Sequence, residues 1–290
     1  MFNKKRFRFL YIVLLFLAIL AGGFLIYNQG RPLQIPTREH LFTGVDYVRK
    51  VQFSPRPMLI HVITIDTRSS GIRFLVTPAD DKGSDYPLRA RTTSQFMREF
   101  GVQIAINGDG FSPWWSRSPV DYYPHTGDPV HPHGNSASRG SIYWTFASPE
   151  PTLYISSRNQ MSFDEPKKPF NVISGKDLLV RGGNPIPDLD SSALQPRTAI
   201  GYSSNGRFIY LVVVDGRQPF YSDGITLNEL ATLMISLGAQ YAMNLDGGGS
   251  STMVVEGTDG RPRILNSPID NLIPGRERPV ANHLGVYVTK

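Results

Sequence analysis

The apolar residues of this chain fall mostly in short runs bounded by glycine, proline and polar clusters, a pattern that predicts strands more often than helices. The clearest run is Phe208-Ile209-Tyr210-Leu211-Val212-Val213-Val214. It is continuous rather than alternating, as expected for a strand buried on both faces, and it stops at Asp215-Gly216-Arg217. Residues 59–65 and 72–76 are rich in β-branched and aromatic side chains and flank Ser69-Ser70-Gly71, so they predict a hairpin. Further strands are expected at 103–106, 241–245, 252–255 and 284–288. The period changes to helical in two places. Residues 92–100, closed by Gly101, predict a short helix, and 226–238 predict a second one. In the second, Thr226 and Glu229 have capping-box spacing, Ile225 and Leu230 can staple the first turn, and Gly238 ends the apolar face of Leu227, Leu230, Met234 and Leu237. Residues 112–140, dense in Pro, Ser, His and Trp, predict a long loop. Strands outnumber helices and many connections are too short for parallel crossovers. The expected fold is therefore α+β, a mixed or antiparallel sheet with few packed helices.

The N-terminus adds one element. Residues 9–27 are uncharged and mostly apolar, and Lys4, Lys5, Arg6 and Arg8 precede them. A bilayer span needs roughly 20 apolar residues, against about 7–15 for the core of a cleavable signal. The expectation is a basic cytoplasmic tail over 1–8, a transmembrane signal anchor over 9–27, a proline-marked stalk over 28–57 and a folded domain over 58–290. The basic flank would hold the tail inside, which places the domain in the periplasm or at the cell surface. Cleavage near Gly22-Gly23 would give a secreted form instead.

Composition narrows the function classes. The formal charge is +6 over 290 residues, but four of the cations lie in the first eight positions, so little is left for the rest. No basic patch of the kind nucleic acid requires is expected. With no cysteine, disulfides, thiolate metal sites and cysteine catalysis are excluded. His131-Pro132-His133 lacks a supporting set of ligands, so neither metal nor cofactor is assigned. Oligomeric state has no signal in the sequence.

Three expected strands end in the same polar punctuation: Asn107-Gly108-Asp109, Asp215-Gly216-Arg217 and Asn244-Leu245-Asp246-Gly247-Gly248-Gly249-Ser250-Ser251. If their ends converge, they form a cleft of carboxylates, amides and arginine. Glycosidic cleavage uses carboxylates as acid, base or nucleophile, which makes Asp246 and Asp215 the candidate catalytic acids with Glu277 in reserve. Planar guanidiniums suit phosphate oxygens, so Arg197, Arg217 and Arg278 are candidate phosphate ligands. Asn107, Asp109, Asn244, Ser250, Asn282 and the backbone of Gly247, Gly248 and Gly249 complete the expected substrate-binding set. Ser250 and Ser251 lack a nucleophile elbow. Trp114 and Trp115 could stack on a sugar or pack the loop.

With these residues in view, the chain resembles the phosphodiester glycosidase family. The likeness runs in order through Ala105-Ile106-Asn107-Gly108, Gly127-Asp128-Pro129-Val130, Pro196-Arg197-Thr198-Ala199-Ile200-Gly201, Val214-Asp215-Gly216-Arg217, the 244–251 loop and Glu277-Arg278-Pro279-Val280-Ala281-Asn282, and it covers about residues 60–290. It implies hydrolysis of a sugar-1-phosphate diester, with the polar residues of these motifs as the active site. A surface polysaccharide or other glycopolymer is the expected substrate. A non-catalytic polysaccharide-binding module and a metal-dependent phosphodiesterase are the alternatives. There is one departure: the family commonly reads Asn-Gly-Gly-Phe-Phe or Asn-Gly-Asp-Phe-Phe after the first strand, whereas Gly110 here replaces the first aromatic, which would widen the pocket or loosen the loop.

Overall fold

A computed structural model describes residues 4–28, 31–146 and 150–289. The chain forms two units, Met1–Arg31 and Pro32–Lys290. The first contains the helix Lys4–Asn28, which takes in positions assigned from the sequence to a separate basic tail. Among the described residues no helix is long and apolar enough to cross a membrane. The expected transmembrane anchor is withdrawn, and with it the membrane as a partner. Segment length and lack of charge in the sequence carried that expectation, and no helix among the described residues meets both the length and the apolarity that a span needs.

The second unit is mostly β rather than α+β, with 39% of the chain in strand and 14% in helix. Its largest sheet has eight strands among the described residues, ordered Thr37–Phe42, Val45–Gln52, Met58–Asp66, Phe208–Val214, Arg197–Tyr202, Tyr241–Asn244, Asp177–Arg181 and Asn184–Pro185. Every neighbouring pair is antiparallel. A five-stranded antiparallel sheet is ordered Pro262–Ile264, Met253–Glu256, Ile104–Asn107, His283–Tyr287 and Arg73–Val76. The α+β expectation failed because the region after residue 112 was read as loop. It carries short strands instead, among them Trp115–Ser118, Asp121–Tyr123, Pro129–Pro132 and Ser136–Ser138. Strands this short show too few alternations to register as a period.

Two other expectations change. Residues 28–57 are not a stalk throughout, because Thr37–Phe42 and Val45–Gln52 belong to the large sheet, and Val45 and Tyr47 are buried. The prolines only punctuate these strands. The expected hairpin of 59–65 with 72–76 does not form. Met58–Asp66 pairs with Val45–Gln52 and Phe208–Val214, while Arg73–Val76 crosses to the other sheet and pairs with His283–Tyr287.

The two sheets pack face to face. Ile209, Leu211 and Val213 from one meet Ile104, Ile106, Met253 and Val286 from the other in the main core. The opposite face of the strand Phe208–Val214, with Tyr210, Val212 and Val214, lies under Leu227, Leu230, Ala231 and Met234 of the helix Leu227–Ser236. That accounts for the continuous apolar run: both faces of this strand are covered. The helix Thr93–Phe100 covers the outer face of the smaller sheet, where Phe96 and Met97 meet Leu75, Ala105 and Val254. Both helices begin with a complete capping box, Thr92 with Gln95 and Thr226 with Glu229.

Candidate active site

The strand ends at 107 and 244 meet where the two sheets join. Asn107 Nδ2 donates to the Asp246 carbonyl at 2.8 Å, and Asp246 N–H donates to the Gly108 carbonyl at 2.9 Å. Asn107 Oδ1 also accepts from Thr198 Oγ1 at 2.7 Å and from Thr252 N–H at 3.1 Å. This fully buried amide thus binds three segments and fixes the start of the glycine loop. Leu245 turns into the core, and period-2 alternation turns Asp246 the other way, onto the wall of a cavity of about 340 Å³.

Arg197, Arg217 and Arg278 line the same cavity, together with Gly247, Gly248 and Gly249. Two of the glycines face an arginine: a Cβ on Gly248 would lie 3.0 Å from Arg217 Nη1 and one on Gly249 would collide with the Arg278 guanidinium, whereas one on Gly247 would lie 2.8 Å from the Pro196 carbonyl. Gly248 and Gly249 therefore clear space for two guanidiniums, those of Arg217 and Arg278, while Gly247 clears the Pro196 carbonyl. Gly248 in addition has φ +61°, which a side chain would strain.

The three arginines are held differently. Arg278 Nε donates to the buried carboxylate of Asp270 at 2.7 Å, its Nη1 reaches Ser250 Oγ at 3.4 Å, and its plane lies over the Trp114 ring at 4.8 Å. Arg217 Nε donates to Gln195 Oε1 at 2.7 Å. Arg197 makes long bonds of 3.4 Å to the carbonyls of Ile225 and Ala193. Burial disfavours the charge on both Arg197 and Arg217, and the neighbouring Arg278 cation adds to the effect on Arg217. An anion entering the cavity would relieve this strain, since neither Arg197 nor Arg217 has a carboxylate hydrogen-bond partner among the described residues.

Some expected site residues lie elsewhere. Asp215 is fully buried, accepting from Asn266 Nδ2 at 3.0 Å and Ser267 N–H at 2.9 Å on one oxygen and from His61 Nε2 at 3.0 Å on the other. These bonds tie the large sheet to the segment after Leu265. Glu277 accepts from Ser94 N–H at 2.9 Å in the first turn of the helix Thr93–Phe100, and burial raises its pKa. Neither acid lines the cavity. Both motifs have the composition of a site because buried loop junctions use the same acceptors as catalytic clefts.

Four expected ligands form the layer behind the cavity wall. Asp109 accepts from Gly110 N–H and Gly134 N–H, both at 2.7 Å, and burial raises its pKa to about 7. Asn282 accepts from Asp109 N–H at 2.8 Å and donates to Ser136 Oγ at 3.2 Å. Asn244 donates to Asp177 at 2.9 Å, and Ser250 serves Arg278.

Sequence reading missed three polar groups on the wall: Lys176, His133 and Gln195, the last of which holds Arg217. Lys176 Nζ donates to Asp246 Oδ1 at 2.5 Å, and His133 also lines the cavity. Lys176 lies in the tight passage between Asn171–Ser174 and Asp177–Arg181, where its N–H donates to the Asn244 carbonyl at 2.9 Å. No motif marks it. His133 was weighed as a metal ligand, and no metal-ligand cluster occurs among the described residues. Trp114 packs a ring face on Arg278 instead of leaving it open.

The family model for phosphodiester glycosidases matches residues 100–287, well over half of the chain and every residue of this cavity. The chain belongs to the phosphodiester glycosidase family. It is thereby placed among hydrolases. A bovine N-acetylglucosamine-1-phosphodiester alpha-N-acetylglucosaminidase is 39% identical over 124 residues, covering 37% of this chain and 23% of that protein. An uncharacterized prophage-derived protein of Bacillus subtilis, YomE, is 38% identical over 117 residues, covering 40% of this chain and 16% of that protein. The matches thus span under a quarter of either relative's length. Among solved structures, the zebrafish N-acetylglucosamine-1-phosphodiester alpha-N-acetylglucosaminidase catalytic domain superimposes with a TM-score of 0.58 at 20% identity, covering 91% of this chain and 92% of that one. A hypothetical protein from Synechocystis gives 0.56 at 15% identity, covering 88% and 64%. At these identities the likeness to solved structures concerns the fold alone.

Proposed function

We propose that the chain hydrolyses a glycosyl phosphodiester in the cavity around Asp246. The observation that carries this reading is the convergence of Arg197, Arg217 and Arg278 with one carboxylate, Asp246, beside a loop in which Gly248 and Gly249 make room for Arg217 and Arg278. A phosphodiester supplies the anion those guanidiniums lack, and its sugar carries the carbon at which a carboxylate can act. Asp246 sets its carboxylate beside the anomeric carbon, where it stabilises the positive charge that develops as the bond to phosphate breaks, with one oxygen held by Lys176. The arginines bind the phosphate, stabilise the charge that builds on it and hold it as it leaves. Asn107, Asp109, Asn282 and Asn244 keep the loop in place from behind. Asp215 and Glu277 brace the fold. The bovine relative's name states an N-acetylglucosamine-1-phosphodiester as its substrate type, which supports a sugar-1-phosphate diester here. Our proposed substrate is such a linkage in a surface polysaccharide or glycopolymer, met outside the cytoplasm.

The test is the Asp246→Asn variant assayed on a chromogenic glycosyl phosphodiester beside the wild type. The carboxylate's removal should lower kcat by about 10²–10⁴-fold while inorganic phosphate still binds. Wild-type turnover in a folded Asp246→Asn protein would overturn the assignment.

A further inference from the structure

Gly110 stands where the chain departs from the aromatic pattern, and its surroundings give a reason. A Cβ at this position would lie 2.7 Å from His133 Nδ1 and 3.1 Å from Lys176 Cε. The imidazole thus occupies space that only glycine leaves open. The ring is also fixed in place. His133 N–H donates to the Gly110 carbonyl at 2.8 Å, the preceding strand Pro129–Pro132 pairs with Phe111–Ser112, and His133 Nε2 lies 2.8 Å from Ser112 Oγ. His133 lines the cavity with Asp246, whose Oδ1 is already held by Lys176. The other titratable group acting on the ring is His131 two residues back, while Asp109 and Glu150 lie against the next residue, Gly134.

We propose that His133 is the general base of the hydrolysis, and that Gly110 is small so that the imidazole can reach the reacting water. The inference rests on the glycosyl phosphodiester reading. In the step, the oxygen of a water molecule forms a bond to the anomeric carbon as the bond from that carbon to the phosphate oxygen breaks. The departing oxygen keeps the electron pair and leaves as a phosphomonoester among the arginines. The water's proton passes to an imidazole nitrogen of His133 and from there to solvent. A phosphate is a good leaving group and needs little protonation, whereas water is a poor nucleophile until a base takes its proton. A base must be neutral to work. Burial, reinforced by the Lys176 cation and opposed by the Asp246 carboxylate, disfavours the protonated ring, which is the direction a base needs.

The experiment measures kcat against pH for the wild type, His133→Asn and Gly110→Ala on the chromogenic glycosyl phosphodiester, with inorganic phosphate binding measured in parallel. Because the protonated ring cannot act as base, wild-type kcat should fall as pH drops through the lowered pKa of His133. His133→Asn should lose about 10²–10⁴-fold in kcat together with that acid limb, and it should still bind phosphate. Gly110→Ala should lose activity in the same direction, and added imidazole should restore part of the turnover of His133→Ala. Retained kcat and acid limb in His133→Asn would overturn the inference, as would parallel loss of phosphate binding, which would make the ring structural. If Asp246→Asn is inactive while His133→Asn is unaffected, only the base assignment falls. If the wild type turns over no glycosyl phosphodiester, the function and the inference fall together.

Discussion

Two aspartates that look alike in the sequence differ in what surrounds them. Asp246 follows its strand by two residues and reaches a cavity, whereas Asp215 follows its strand by one and is enclosed by Asn266, Ser267 and His61. Asp215→Asn would set an amide donor against groups that donate to the carboxylate. Urea unfolding should show a loss of about 1–3 kcal/mol, while turnover by the folded fraction stays within a few-fold of wild type. A fully stable but inactive Asp215→Asn would return this residue to the site. Asp109 gives a pH signature. Its folded pKa, raised by burial to about 7 from the ordinary carboxylate value of about 3.9, means that the folded protein keeps a proton that the unfolded chain releases between those values. The contribution of this group to stability is therefore present at acid pH and is lost as pH rises from about 4 through 7. Unfolding midpoints across that range should show the decline in the wild type, and Asp109→Asn should flatten it.

At the scale of elements, the glycine loop works as a scaffold for arginine. Gly249→Ala would push Arg278 away from its place between Asp270 and Trp114. A displacement of about 1 Å at a positioning group can cost about 10²-fold in rate, so kcat/KM should fall by up to that factor with little change in unfolding midpoint. An unchanged kcat/KM would show that Arg278 can move without consequence. The helices were legible for local reasons, since a capping box and a terminal glycine are read within one turn of chain. Glu277 was not legible in the same way. Its partner, Ser94 N–H, is 183 residues distant in sequence, and nothing near Glu277 marks it as a helix-end acceptor.

For the molecule as a whole, Pro32–Lys290 contains the two packed sheets and the entire cavity. A protein starting at Pro32 should fold and retain activity. One starting at Met58, the boundary expected from the sequence, should not. It lacks Thr37–Phe42 and Val45–Gln52, which uncovers the edge of Met58–Asp66 and removes Tyr47, whose hydroxyl is 2.9 Å from His61 Nδ1. Through His61 that loss reaches Asp215. Thermal unfolding and light scattering of the two truncations would check this, with aggregation expected for the shorter one. Equal melting temperatures would show the first two strands to be dispensable.

The sequence by itself determined the local matters: the strand Phe208–Val214, the two capped helices, the polar strand ends and the family motifs, all written in neighbouring residues. It also placed Asp246, Arg197, Arg217 and Arg278 in one set, and the structure brings these four together. Only the tertiary structure decided which acid faces the cavity, because Asp215 and Asp246 differ in partners drawn from distant segments. It also added Lys176 and His133, which carry no motif and enter the site through strand pairing and loop packing. Local periodicity fixes the direction of a side chain from its strand, whereas the identity of what it meets depends on contacts across sheets, and these have no counterpart in adjacent residues.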